Sequence, residues 1–255
     1  MLSNLKTGNN ILGLPEFELN GCRFLYKKGI EKTIITFSAF PPKDIAQKYN
    51  YIKDFLSSNY TFLAFLDTKY PEDDARGTYY ITNELDNGYL QTIHCIIQLL
   101  SNTNQEDTYL LGSSKGGVGA LLLGLTYNYP NIIINAPQAK LADYIKTRSK
   151  TILSYMLGTS KRFQDINYDY INDFLLSKIK TCDSSLKWNI HITCGKDDSY
   201  HLNELEILKN EFNIKAITIK TKLISGGHDN EAIAHYREYF KTIIQNILEH
   251  HHHHH

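Results

Sequence analysis

Three short stretches of this chain carry residue types that could do chemistry together: Gly112-Ser113-Ser114-Lys115-Gly116-Gly117, Gly195-Lys196-Asp197-Asp198 and Gly226-Gly227-His228-Asp229. A serine hydroxyl is a poor nucleophile at neutral pH and needs a base in hydrogen-bond contact. Histidine suits that role because its pKa lies near the working pH. A buried carboxylate can then fix the imidazole tautomer and stabilise the imidazolium. Each position has a rival. Ser113 adjoins Ser114, but the G-x-S-x-G spacing favours Ser114. Asp197 competes with Asp198, and both are acceptable as residues of a solvated turn. His201 lies close to Asp198 and could replace His228 as the base, although its position suits the start of a helix. His235 falls in a helical pattern and reads as structural, and His94 and His191 fall inside elements with no assigned role.

The elements that must position these groups are short. Tyr109-Leu110-Leu111 suits a buried strand and Val118 to Leu125 a buried helix, so the chain turns from strand to helix within a few residues at Ser114. Glycines flanking the serine remove Cβ atoms that would clash there and allow a strained backbone that pushes Oγ outward. The first amide of the helix then points at whatever Ser114 attacks, with the helix dipole behind it. The Lys115 side chain reads as a solvent-facing residue of the first turn, or as a charge that meets an acidic substrate.

Along the chain, Phe17 to Leu19 and Arg23 to Tyr26 flank Asn20-Gly21, a hairpin signal. Met1 to Gly13 is polar and rich in asparagine. Strands are expected at Lys32 to Ser38, Tyr60 to Leu66, Asn131 to Asn135, Asn189 to Gly195 and Ala216 to Lys220. Helices are expected near Lys48 to Ser57, Asn83 to Asn102, Leu202 to Glu211 and Glu231 to Ile247. Thr68 to Thr78 is polar and turn-like, beyond the C-terminal end of a strand, where open α/β sheets place ligands. Between Lys140 and Trp188 no strand pattern occurs, and about fifty residues read as a mostly helical insertion. Strand–helix alternation implies an α/β fold with a mainly parallel sheet covered by helices on both faces.

The 255 residues suit one domain over 1–247, with the insertion at about 140–188. Leu248-Glu249 and His250 to His255 read as an expression tag. A formal net charge of zero gives no sign of nucleic acid or an anionic membrane as partner. No apolar run spans a bilayer and no signal-like N-terminus stands out. Cys22, Cys95, Cys182 and Cys194 form no C-x-x-C, so a reducing, cytoplasmic setting is expected. No metal-ligand spacing is present.

With Ser114, the Asp197-Asp198 pair and His228 in that chain order, and with the insertion and the strand-to-helix serine turn, the chain resembles the α/β-hydrolase superfamily over about 16–247. The form G-S-S-x-G-G is also loosely similar to that of serine-hydrolase-like proteins associated with bacterial surface glycans and accessory secretion. The resemblance implies the α/β-hydrolase fold, with the insertion as a lid, and Asp198 as the acid by its G-x-x-D spacing. It implies an oxyanion hole from the Lys115 amide and one from the loop after the first central strand, where Phe40 is preferred and Ala39 is second; Pro41 has no amide to donate. The implied activity is hydrolysis of a carboxylic ester, on a small molecule or a glycan, through an acyl-enzyme and without a cofactor. Two alternatives use the same residues: transfer of the acyl group to a sugar hydroxyl, and a catalytically silent binding or assembly subunit.

Overall fold

Runs of β-branched and aromatic residues form the middle of a nine-stranded sheet in the computed structural model, which describes residues 2–68, 74–82, 85 and 87–253. The strands are β1 (Lys6–Ile11), β2 (Leu14–Leu19), β3 (Cys22–Lys27), β4 (Thr33–Phe37), β5 (Thr61–Phe65), β6 (Thr108–Ser113), β7 (Asn131–Asn135), β8 (Asn189–Gly195) and β9 (Lys220–Ile224). Their spatial order is β1-β2-β3-β5-β4-β6-β7-β8-β9. Pairs are antiparallel from β1 to β3 and between β3 and β5, and parallel from β5 onward.

The helices are α1 (Ile52–Phe55), α2 (Gly88–Leu100), α3 (Lys115–Tyr127), α4 (Leu141–Arg148), α5 (Lys150–Leu157), α6 (Gln164–Asn172), α7 (Phe174–Thr181), α8 (Ser199–Ile214) and α9 (Asn230–His253). Because successive strand side chains alternate, the sheet feeds two cores. Ile35, Phe37, Leu63, Leu110, Ile132 and Ile192 face α2, α3, α7 and α8. Ile34, Phe62, Tyr109 and Ile133 face α1 and the Tyr236–Phe240–Ile244 stripe of α9. Parallel register brings Phe37 beside Gly112, Ser113 beside Asn135 and Gly195 beside Ile224, so the C-terminal ends of β4, β6, β7, β8 and β9 form one rim.

Several expectations need correction. The polar N-terminal stretch, for which no element was expected, forms an edge strand: Thr7 and Asn9 donate to the Glu16 carboxylate at 2.8 and 3.0 Å, and five of the six residues of β1 are exposed. Helix α1 is a single turn rather than the span 48–57. Tyr51 before it is left-handed (φ 65°), and Gln47 and Asn50 spend their side chains on the neighbouring loop instead. Helix α2 begins at Gly88; residues 83, 84 and 86 of the expected span lie outside the described residues, as do 69–73 of the polar loop. The last strand lies four residues later than its β-branched run suggests. Ala216 takes φ 56° at the end of α8, and the Ile217 amide returns to the Phe212 carbonyl at 2.9 Å, so this stretch closes the helix.

The insertion is helical throughout its described elements, α4 to α7. It is not one separate layer. Phe174, Leu175, Leu176 and Ile179 of α7 join the core against α3, while α4 reaches the rim.

Both edges of the sheet carry lysines. β1 begins with Lys6 and has a register shift before Asn10; β9 presents exposed Lys220 and Lys222. Among the described residues no helix is long and apolar enough to cross a membrane.

Candidate active site

Ser114 sits between β6 and α3 with φ 55° and ψ −118°, a left-handed-side conformation that costs on the order of 1–3 kcal/mol for a non-glycine residue. Two backbone bonds hold it: its amide donates to the Asn135 carbonyl at 2.9 Å, and its carbonyl accepts from the Val118 amide at 3.1 Å. The flanking glycines are required by space. A Cβ on Gly112 would lie 2.2 Å from the Gly116 carbonyl oxygen, and one on Gly116 would lie 2.4 Å from that of Phe37. Strand, turn and helix can approach this closely only with those atoms missing.

His228, in the β9–α9 loop, places Nε2 3.2 Å from Ser114 Oγ and Nδ1 3.0 Å from Asp198 Oδ2. Asp198 caps the N-terminus of α8 and accepts the His201 amide at 3.2 Å. Burial alone would raise its pKa. Side-chain hydrogen bonds from His201 and His228 outweigh that and hold the carboxyl well below the ordinary carboxylate range. Asp197 is exposed and uses its amide on the Gly226 carbonyl at 3.0 Å. Ser113 Oγ accepts from Asn135 Nδ2 at 3.0 Å, away from the histidine. Geometry therefore separates each preferred residue from its neighbour in sequence.

Two further side chains complete the cluster. His201 donates from Nδ1 to Asp198 Oδ1 at 3.0 Å, and its ring stacks on that of His228 with centroids 4.0 Å apart and planes 5° from parallel. Its Nε2 does not reach the serine directly; it lies 2.7 Å from Gln138 Nε2, which also donates to Ser114 Oγ at 2.9 Å. Burial lowers the His201 pKa from its ordinary value, with the nearby His228 and Arg148 acting in the same direction and Asp198 opposing. Asp198, His201 and His228 bring potential ligand atoms within 4.8 Å of one another. Both Nδ1 atoms approach Asp198: that of His228 lies 3.0 Å from Oδ2, and that of His201 lies 2.9 Å from Oδ2 and 3.0 Å from Oδ1, so one carboxylate serves two stacked rings. Gln138 carried no motif. Its one signal was position, three residues past the end of β7 on the rim that holds Ser114.

The Lys115 side chain is not solvent-facing. It is fully buried, 3.2 Å from Asp67 Oδ2 and donating to the Arg76 carbonyl at 2.6 Å. Burial lowers its pKa, and Asp67 opposes that shift. The side chain points back under the loops and its backbone lies at the start of α3. In the loop after β4, the Ala39 amide is committed to Asn50 Oδ1 at 2.9 Å. Phe40 lines the same cleft as Ser114 and His228.

Neither a family model nor a curated protein matches the sequence. Solved structures do. The chain is 98% identical to the capsule O-acetyltransferase of Neisseria meningitidis serogroup A, with a TM-score of 0.93 over 96% of this chain and 100% of that one. This chain belongs to the family of that acetyltransferase, within the α/β-hydrolase superfamily. More distant matches share the fold. One is a Glycosylation Associate Protein complex from Streptococcus agalactiae, at 19% identity and TM-score 0.68, covering 89% of this chain and 47% of that one. Another is a ferulic acid esterase at 10% identity and TM-score 0.56, covering 91% and 94%.

In this α/β-hydrolase the rim opens into a cleft of about 520 Å³ bounded by Phe40, Ser114, Tyr144, Arg148 and His228. A second cleft of about 670 Å³ adjoins it and shares Lys43, Arg76 and Arg148. Arg76 is bidentate to Asp74 at 2.7 and 2.6 Å, whereas Arg148 is exposed. The joint lining carries more basic than acidic side chains.

Proposed function

We propose that this protein is an O-acyltransferase that carries an acyl group, as an ester on Ser114, to a hydroxyl of a glycan. The observation that carries this reading is the 98% identity to a capsule O-acetyltransferase over nearly the whole of both chains. It favours transfer to a sugar over the hydrolysis that the serine motif alone suggests, and acetyl is the acyl group it points to.

The chemistry follows from the distances. His228 Nε2 takes the Ser114 proton as Oγ attacks the carbonyl of an activated acyl ester or thioester, and Asp198 stabilises the imidazolium. The amides of Lys115 and Phe40 are proposed as the oxyanion donors; Ala39, already bonded to Asn50, is the poorer candidate. The imidazolium returns its proton to the leaving group. The glycan hydroxyl then enters the same space, loses its proton to His228 and attacks the acyl-enzyme; as the tetrahedral intermediate collapses, His228 passes that proton to the departing Ser114 Oγ. Water competes at this second step, so transfer requires the acceptor to be held near the ester; well-oriented neighbours reach effective concentrations far above that of water. The two joined clefts offer an extended surface for such a chain, with α4 proposed as a partial cover.

The test is product analysis with an acyl thioester, with and without a bacterial capsular glycan. Acetylated glycan formed faster than free acetate supports transfer. Free acetate alone, at a rate unaffected by glycan, supports hydrolysis. Labelling of Ser114 by a fluorophosphonate separates either enzyme from a silent assembly subunit.

A further inference from the structure

We propose that Gln138 and His201 form a second relay on Asp198, one that holds Ser114 Oγ as the acceptor of the Gln138 amide and so aims the serine's own proton at His228. This rests on the reading of Ser114 as the nucleophile.

The relay can be ordered atom by atom. An ionised carboxylate only accepts, so His201 must carry its proton on Nδ1, which lies 2.9 Å from Asp198 Oδ2 and 3.0 Å from Oδ1. In the neutral ring Nε2 is then a lone pair, and Gln138 Nε2 donates to it at 2.7 Å. The other amide proton of Gln138 points to Ser114 Oγ at 2.9 Å. The amide oxygen, on its far side, accepts from the buried Tyr79 hydroxyl at 3.0 Å. Every donor in the chain meets an acceptor. Reversing the Gln138 amide would set its oxygen against His201 Nε2, which is satisfied only if that ring also carries a proton there and becomes an imidazolium.

The surroundings oppose that charge. Asp198 and Tyr200 of α8 face His201, with Tyr144 and Arg148 from α4, Gln138 from the loop after β7 and His228 from the loop after β9. Glu204, one turn along α8, is occupied by the amides of Ala139 and Lys140 at 3.3 and 3.1 Å. Only Asp198 in this set favours a cation, and it is shared with His228. When His228 takes the serine proton, its imidazolium lies 4.0 Å from the His201 ring. A neutral His201 tolerates that charge; a charged one would repel it.

Two consequences follow. The serine hydroxyl is no longer a free rotor, since one lone pair is held by Gln138 and its proton faces His228. The alkoxide that develops on attack also keeps a donor. His201 is a positioning residue that acts through Gln138.

The test uses fluorophosphonate labelling rates and acyl-transfer kinetics for Gln138→Met, His201→Phe and the double variant. Methionine keeps the size without donors, and phenylalanine keeps the stacked ring. Losing one hydrogen bond to a developing charge is expected to slow each single variant by roughly 10–100-fold, with KM for the acyl donor unchanged. The double variant should be no slower than the slower single one. A Gln138→Met protein labelled at the wild-type rate, or losses that multiply in the double variant, would overturn the relay. A two-bond 1H–15N spectrum of the wild-type protein is independent of any variant's folding. The ring resonances missing from His201→Phe should show Nδ1 protonated and Nε2 unprotonated; the reverse tautomer overturns the relay. Wild-type protein that resists the fluorophosphonate counts against the nucleophile reading, while the tautomer spectrum still decides the relay.

Discussion

Replacing Lys115 by methionine should unfold this protein well below its normal midpoint, and the size of the effect can be worked from its neighbours. The ammonium group is fully buried. It lies 3.2 Å from Asp67 Oδ2, donates to the Arg76 carbonyl at 2.6 Å and reaches Gln47 Oε1 at 3.4 Å. The rings of Phe40 and Tyr80 stand 5.7 Å from it. Asp67 Oδ1 is already satisfied by the amides of Thr68 and Tyr80 at 2.6 and 2.7 Å, but Oδ2 has no other partner among the described residues. Removing the cation therefore strands a buried carboxylate, which typically costs about 3–5 kcal/mol. At ~2–4 °C per kcal/mol for a domain of this size, the midpoint should fall by roughly 6–20 °C. Adding Asp67→Asn removes the stranded charge and should recover most of the loss. Urea unfolding of the four proteins of this cycle measures both terms. The reasoning is refuted if Lys115→Met costs less than about 1 kcal/mol, or if the two substitutions simply add.

Ser114→Ala and His228→Ala should each remove nearly all acyl transfer, with the double variant hardly worse, because the two groups act as a unit. Asp198→Asn should slow turnover on the order of 10⁴-fold with the fold intact, as seen by circular dichroism, while Ser113→Ala stays close to wild type. Gly116→Ala should lose both activity and stability, by about 1–3 kcal/mol in urea, because its Cβ would meet the Phe37 carbonyl oxygen at 2.4 Å. Acid should weaken the fold through His191, whose pKa burial, helped by Lys220, lowers from 6.5 to about 4. Between those values the unfolded chain binds the proton and the folded one does not. Stability is thus lost as pH falls through that window, by something on the order of 2 kcal/mol by about pH 5; urea midpoints of wild type and His191→Gln across that range should converge.

The parts of the fold that could be read in sequence were those where burial dictates residue type. Strands β4 to β8 are buried on both faces and stand close to where their apolar and β-branched runs place them, and the Gly112–Gly117 turn announces itself because a side chain at Gly112 or Gly116 has no room. β1 could not be read, since a strand held by Thr7, Asn9 and Glu16 has no alternating apolar face. β9 was misplaced because Ile217 and Ile219 look like strand residues, while the helix end at Ala216 claims the preceding backbone. At the site, Ser114, Asp198 and His228 lie on loops whose glycines and position mark them. Gln138 and the inward turn of Lys115 depend on which loops meet across the rim, and local pattern does not encode that meeting.

The lysines on the two outermost strands bear on how the protein behaves at high concentration. A nine-stranded sheet ends in two rows of backbone groups that another chain could extend. At β9, Lys220 and Lys222 would be brought against like charges by a second copy docking there in either direction. At β1 the register shift after Lys6 breaks the regular spacing a docking strand needs. An exposed ledge of hydrogen-bonding groups is thereby made unattractive to a second copy of the chain.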